Sequence, residues 1–350
     1  GALTRRYFLA SGGVLAGTLA LLAWGTGTSS VSGILARADG LSPELTWLAI
    51  AGLFLAAMIQ SALFPFHDWL LSSMTAPTPA SALMHAGFVN AGGILLARFA
   101  PVFADVQLAM AALVVVGAAS AFLGQAILLV RPDVKRRLGG STVAQMGFMI
   151  LQCGLGFFAA AITHLILHGF YKAYQFLSAG SQVAHESPTK SSSGDSAGLP
   201  GLVVVGLTAL AGGLVFAALT GKGTALDSGL LLTMLVVLTV LHAARDVVSQ
   251  SDLPASIRYG AVPLVALPAI AVYAAVYTTV EGLLAGLPAV GYHAELTVVH
   301  GVLAGAFVLT YVAVELGLYR HSRRLYVVLL NATQPPSETQ LTNTEEYNEY

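Results

Sequence analysis

The sequence predicts an all-α polytopic membrane protein of about ten transmembrane helices, some of them broken. Hydrophobic residues fill 56% of the 350 positions, and Asp, Glu, Lys and Arg together only 9%, where a soluble chain carries about 25%. Mean hydropathy is +0.77. The apolar residues fall in runs of about 20, long enough to cross the hydrocarbon of a bilayer. A net charge of −1 gives no basic surface for nucleic acid. The single cysteine, Cys153, lies in an apolar run; it excludes a disulfide framework and reads as a small core residue. Gly1, not Met, stands first and no signal-peptide pattern follows, so further N-terminal helices are expected to precede it.

The expected spans are about 7–24, 46–73, 79–99, 107–130, 141–156, 159–179, 201–219, 227–249, 262–284 and 295–318. The second must break, because Pro65 lacks an N–H and clashes with the preceding turn. Broken helices at membrane depth are tolerated where they line a cavity. Gln60, just over a turn before the break, reads either as a hydrogen bond to a neighbouring helix or as lining of an aqueous path. His67, Asp68 and Trp69 read as an interfacial belt, Trp69 above all. The third span opens on Pro77 and Pro79, which suit a helix entry, and buries His85 and Asn90. Gly87, Gly92 and Gly93 permit close helix contact there. RPDVKRRLGGST reads as a short topogenic loop, after which Ser141 and Thr142 begin a helix. The apolar stretch 141–179 divides near Phe157, at Gly154 and Gly156.

The sixth span, AAAITHLILHGFYKAYQFLSA, carries His164, His168 and Lys172 at intervals of four residues. On a helix they climb one face, each step rising about 6 Å and drifting only about 40° around the axis. A charge so deep in an apolar span is expensive and usually functional. A row of titratable groups suggests passage of protons or ions. A lone membrane histidine such as His85 is often a packing residue, but this row gives it something to exchange a proton with. In the later spans, His242, Arg245 and Asp246 read as an interfacial cluster. His300 is open between packing and channel lining, and Glu315 is expected to pair with Arg320 or Arg324.

The charges test the span count. With Arg5 and Arg6 cytoplasmic and the side flipping at each span, twelve basic residues fall inside and three, Arg37, Arg98 and Lys222, outside. Lys172 alone stays within the membrane. Both termini of this chain are therefore expected in the cytoplasm. The chain divides into a core over 1–180 of about six helices, a polar, flexible linker over 181–200, a bundle over 201–330 of about four helices, and a polar tail over 331–350. No phosphate loop, dinucleotide fingerprint, cysteine cluster or catalytic triad occurs. No catalytic residue, cofactor or metal is expected of this chain, which reads as a transporter subunit.

FPFHDWLLSSMTAPTPASALMHAGFVNAGGILLARFAP resembles the signature of the proton-antiporter-like membrane subunits. These include the pumping subunits of respiratory complex I and of Mrp-type multisubunit sodium/proton antiporters. DVKRRLGGSTVAQMGFMIL and HLILHGFYKAYQFLSAGSQV resemble the second block of that family, and the blocks together cover roughly a quarter of the chain. The resemblance implies an antiporter-like bundle with a hydrated axis, in which His85, His164, His168 and Lys172 take the relay positions; Gln60, Asn90 and His300 are, from their places in the spans, candidate channel lining. Two departures stand out. Gln60 replaces a lysine of the pumping members, whose acidic partner would lie upstream of Gly1. GLVVVGLTALAGGLVFAALTGKG stands where a PP-x-x-G-F-x-S-K stretch is usual. The long lateral C-terminal helix is also missing.

HAGFVNAGG and the short polar tail LLNATQPPSETQ resemble the DabB family, the membrane subunits of two-component inorganic-carbon accumulation complexes. The resemblance implies proton or Na⁺ flow that drives hydration of CO₂ to bicarbonate by a soluble, zinc-containing DabA-like partner at the prokaryotic inner membrane. Two alternatives remain open: a proton-pumping subunit among other antiporter-like membrane subunits, and a structural anchor with a decayed channel.

Overall fold

The computed structural model describes residues 2–131, 133–183, 199–248, 255–287, 296–318 and 323–332, with single positions at 290, 292 and 294. Every expected span is helical. The chain runs α1 (Ala2–Thr26), α2 (Val31–Ala36), α3 (Pro43–Gln60), α4 (Asp68–Ser72), α5 (Thr78–Ala86), α6 (Ala91–Phe99), α7 (Gln107–Val130), α8 (Val134–Gly154) and α9 (Phe158–Val183). It continues with α10 (Leu199–Thr220), α11 (Ser228–Val248), α12 (Ala255–Leu284), α13 (Val298–Glu315) and the short α14 (Arg323–Ala332). Eight spans are long and apolar enough to cross a membrane, with α5 and α6 forming one of them. α8 and α9, of 21 and 26 residues, are also long enough but carry, respectively, a basic first turn and the His/Lys row. α9 runs past 179 to Val183, and most of the expected linker, like the tail beyond Ala332, lies outside the described residues.

Both breaks are built, not merely tolerated. α3 stops at Gln60, Ala62 takes a positive φ of 52°, and the Phe64–Pro65 peptide is cis. The backbone groups released there find partners: the Phe64 N–H donates to Ser120 Oγ at 3.1 Å, and the Ile59 carbonyl accepts from Trp69 Nε1 at 2.8 Å. Ser61 Oγ donates to the Val89 carbonyl at 2.7 Å, tying this break to the second one, between α5 and α6. Trp69 is therefore no interfacial anchor. It is fully buried, edge-on to Phe8 at 4.9 Å, because its N–H is needed inside the break. Gly92 and Gly93 do sit against neighbours, a Cβ at Gly92 falling 2.7 Å from the Ala57 carbonyl oxygen.

The basic stretch is also corrected. α8 begins at Val134, where Asp133 caps it by accepting from the Arg136 N–H at 2.7 Å. Lys135 turns back to the Ala76 carbonyl at 2.9 Å. Ser141 and Thr142 thus lie inside α8, about two turns from its start.

Loops gather at two faces. On one, Ser228 Oγ donates to the Leu155 carbonyl at 2.9 Å and the Ser228 N–H to Ala294 at 3.2 Å. On the other, Arg131 reaches the Leu330 carbonyl at 3.3 Å and Tyr326 the Val130 carbonyl at 3.4 Å, docking α14 on the end of α7. One apolar core, around Trp69, Phe103 and Phe158, joins α1 to α9. A second, around Phe216, Leu235 and Tyr277, packs α10 to α13 against α7 and α8.

The tightest contact is the α7–α8 hairpin. Gly117 and Gly124 on α7, and Gly140, Gly147 and Gly154 on α8, recur every seven residues along the facing sides. A Cβ at Gly147 would lie 2.5 Å from the Ala121 N and 2.6 Å from the Gly117 carbonyl oxygen. Only hydrogen side chains let two backbones approach this closely. Gly147→Leu is expected to destabilise by more than about 3 kcal/mol, since the clash is with backbone that cannot rotate away. Gly206→Leu, with open space around it, is the control. Thermal unfolding in detergent reads both, and equal stability of the two variants would contradict the seam.

Candidate functional site

α9 presents two unlike faces. Phe170, Tyr171 and Tyr174 are exposed on one, whereas Lys172 is fully buried and His168 nearly so on the other. Lys172 Nζ donates to Ser141 Oγ at 2.8 Å and to Gln175 Oε1 at 3.1 Å, with the Leu138 carbonyl at 3.5 Å. Gln175 is held in that orientation because its Nε2 donates to the Tyr171 hydroxyl at 2.7 Å, leaving the oxygen for the ammonium. Among the described residues no carboxylate forms an ion pair with Lys172. Its partners are neutral dipoles only.

His85 joins the same place from the other side of α8. Thr142 Oγ1 donates to the Leu138 carbonyl at 3.0 Å, so it accepts from His85 Nδ1 at 2.9 Å. The ring lies over Phe176 at 4.4 Å, and its Nε2 has no protein partner. Leu138 and Thr142 therefore connect His85 to Lys172. The α5–α6 break abuts α9 as well: a Cβ at Gly169 would lie 3.1 Å from the Ala86 carbonyl oxygen and 3.8 Å from Asn90 Nδ2. Asn90 donates to Ala86 at 2.6 Å, and its Oδ1 is unpartnered.

His168 is buried with both ring nitrogens unpartnered. Its ring is stacked at 5.9 Å from that of His164, with no direct hydrogen bond between them. Buried polar atoms left bare in this way need water or an exchanging proton. The structure thus brings together His85, His164, His168 and Lys172, with Asn90 beside them. It does not bring Gln60 or His300. Gln60 is half-buried at the end of α3. His300 caps α13, its Nδ1 accepting from the Thr297 N–H at 3.1 Å. Among the described residues no three His, Cys, Asp or Glu side chains converge as a metal site.

Two charged clusters in the second bundle were not legible. Lys222, which the charge count places outside the membrane, has a side chain only 11% exposed and ion-paired with Glu281 at 3.3 Å. Tyr277 donates to the same carboxylate at 2.9 Å. The available signal was that Glu281 is the lone acid in an otherwise apolar span. Among the described residues Glu315 pairs with α11 and not with Arg324, accepting from His242 Nδ1 at 3.0 Å and bridging to Arg245. The Asp246 side chain and Arg320 lie outside the described residues.

The sequence profile of the family described as NADH:quinone oxidoreductase/Mrp antiporter, TM, matches residues 2–236. The probable inorganic carbon transporter subunit DabB of Bacillus anthracis is 52% identical over 140 residues, 40% of this chain and 27% of that protein. Its counterpart in Hydrogenovibrio crunogenus is 43% identical over 172 residues, 48% of this chain and 33% of that one. The chloroplastic NAD(P)H-quinone oxidoreductase subunit 5 of Poa pratensis is 44% identical over 151 residues, 43% of this chain and 22% of that one. The chain thus spans between a fifth and a third of the length of these curated relatives. Among solved structures, the Mrp complex from Dietzia sp. DQ12-45-1b has a chain of the same fold, with 24% identity and a TM-score of 0.53, covering 93% of this chain and 41% of that one.

A buried ammonium with no counter-ion costs more in desolvation than neutral dipoles return, so an apolar isostere is expected to be neutral or stabilising. Lys172→Met should unfold at or above the temperature of the native chain in a detergent melt. A clear drop would make Lys172 a structural residue.

Proposed function

From the premise that the chain belongs to the NADH:quinone oxidoreductase/Mrp antiporter transmembrane family, we propose that it is the ion-translocating membrane subunit of an inorganic-carbon accumulation complex. Protons, or Na⁺, move through it and drive hydration of CO₂ to bicarbonate by a soluble, zinc-containing DabA-like partner. The observation that carries this reading is the row of half-buried His164 and buried His168 and Lys172, joined to His85 through α8. The relatives named as inorganic carbon transporter subunits select the system.

In this reading Lys172 takes up and releases the proton, and Ser141 and Gln175 hold the ammonium while it is charged. His168, with both nitrogens open, passes the proton on. Water stands between His168 and His164, since no direct hydrogen bond joins them. His85 exchanges through its free Nε2. Lys222 and Glu281 supply charged groups at the far end of the second bundle, where the sequence showed no familiar motif. Both termini of the chain face the cytoplasm, as the distribution of basic residues favours.

A second reading keeps the fold and changes the assembly: a pumping subunit among other antiporter-like membrane subunits. The chloroplastic relative favours it, and Gln60, in place of a lysine, weighs against it. Co-purification separates the two, since a soluble zinc protein supports the first and a set of membrane subunits the second.

Lys172→Met is expected to abolish bicarbonate accumulation in cells while the complex still assembles at the native level. Accumulation at the native rate would sink the proposal and favour a structural anchor.

A further inference from the structure

Beside the row, between the α7–α8 hairpin and α11 to α13, lies a cavity of about 570 Å³. His164, Gln152 and Tyr273 line it, as do Thr310, Tyr311 and His242 towards the face where α13 ends. Gln152 is fully buried with its amide nitrogen beside the Tyr273 hydroxyl, and its amide oxygen makes no hydrogen bond within the chain. A bare buried amide oxygen on the wall of a roomy cavity is the usual sign of water inside. At the far end, Glu315 of α13 is held by His242 and Arg245 of α11, with Tyr311 beside them. The carboxylate side chain is 11% exposed and that of His242 45%, so this clasp straddles the boundary between cavity and exterior.

We propose that the cavity is a water-filled vestibule leading from His164 to the membrane face at the end of α13, and that the Glu315–Arg245–His242 clasp is the latch at its mouth. It rests on the reading of the α9 row as an ion carrier. The latch chemistry follows from the partners. A carboxylate clamped by a guanidinium on the neighbouring helix can exchange that guanidinium for an arriving cation. The exchange loosens α13 from α11 and opens the mouth, and re-pairing closes it. Glu315 would therefore be the first group a cation meets at this face, and His164 the next one inside.

The test is cysteine accessibility in membrane vesicles containing the assembled complex. Thr310→Cys places a thiol on the cavity wall just over a turn inside Glu315. Cys153, fully buried, supplies a silent background. A positively charged methanethiosulfonate should modify Thr310→Cys from one side of the membrane only. Adding Glu315→Gln, or Arg245→Gln as an independent release of the clasp, should raise that rate about tenfold, the loss expected of one charge-assisted contact. Modification by a lipid-soluble maleimide but not by the charged reagent would overturn the proposal, because the cavity would then hold lipid. Unchanged rates in both clasp variants would overturn the latch. Labelling needs no ion flow, so the result in a Lys172→Met background should be the same, and failure of the transport reading would remain separately visible.

Discussion

An ammonium buried in a membrane bundle with no carboxylate paired to it among the described residues is the constraint around which this molecule is arranged. Lys172 can be accommodated only if every donor finds a fixed acceptor, because desolvation is not repaid by a counter-ion. Ser141 and Gln175 serve, with the Leu138 carbonyl near. Each needs its own support: Tyr171 orients Gln175, and α8 must hold Ser141 at one depth and rotation.

The glycine seam is what fixes α8. Backbone-to-backbone packing against α7 leaves α8 no freedom to slide, so Ser141, Thr142 and Leu138 are placed as a unit. The two broken helices then bring His85 and Asn90 against the buried face of α9, and their released backbone groups are satisfied by Ser61, Ser120 and Trp69. Irregular backbone appears where it meets the row, in keeping with the rule that such segments survive at membrane depth only inside protein or beside water.

Local features were legible in the sequence, and non-local pairings were not. Hydropathy located every span, Pro65 located the break, and a spacing of four located the row. Trp69 misled because an interfacial belt and a buried hydrogen-bond donor use the same residue type. Lys135, Arg136 and Arg137 misled because basic residues at a membrane face mark a loop or a helix start equally well; the Asp133 cap was the deciding signal. Lys222–Glu281 and Glu315–His242 join residues far apart in the chain, and no periodicity reports such pairs. His300 is a polar residue at the mouth of a span, and only the structure separates capping from channel lining.

The account stands on ions crossing the membrane through the α9 row. The direct measurement is proton flux into vesicles reconstituted with the assembled complex, driven by an imposed potential and read with an internal pH dye, for the native chain and for His168→Phe. The account predicts flux well above that of protein-free vesicles in the first and its loss in the second, repeated with Na⁺ if that is the ion. Native flux no greater than that of empty vesicles for either ion, or undiminished flux in His168→Phe, would contradict it.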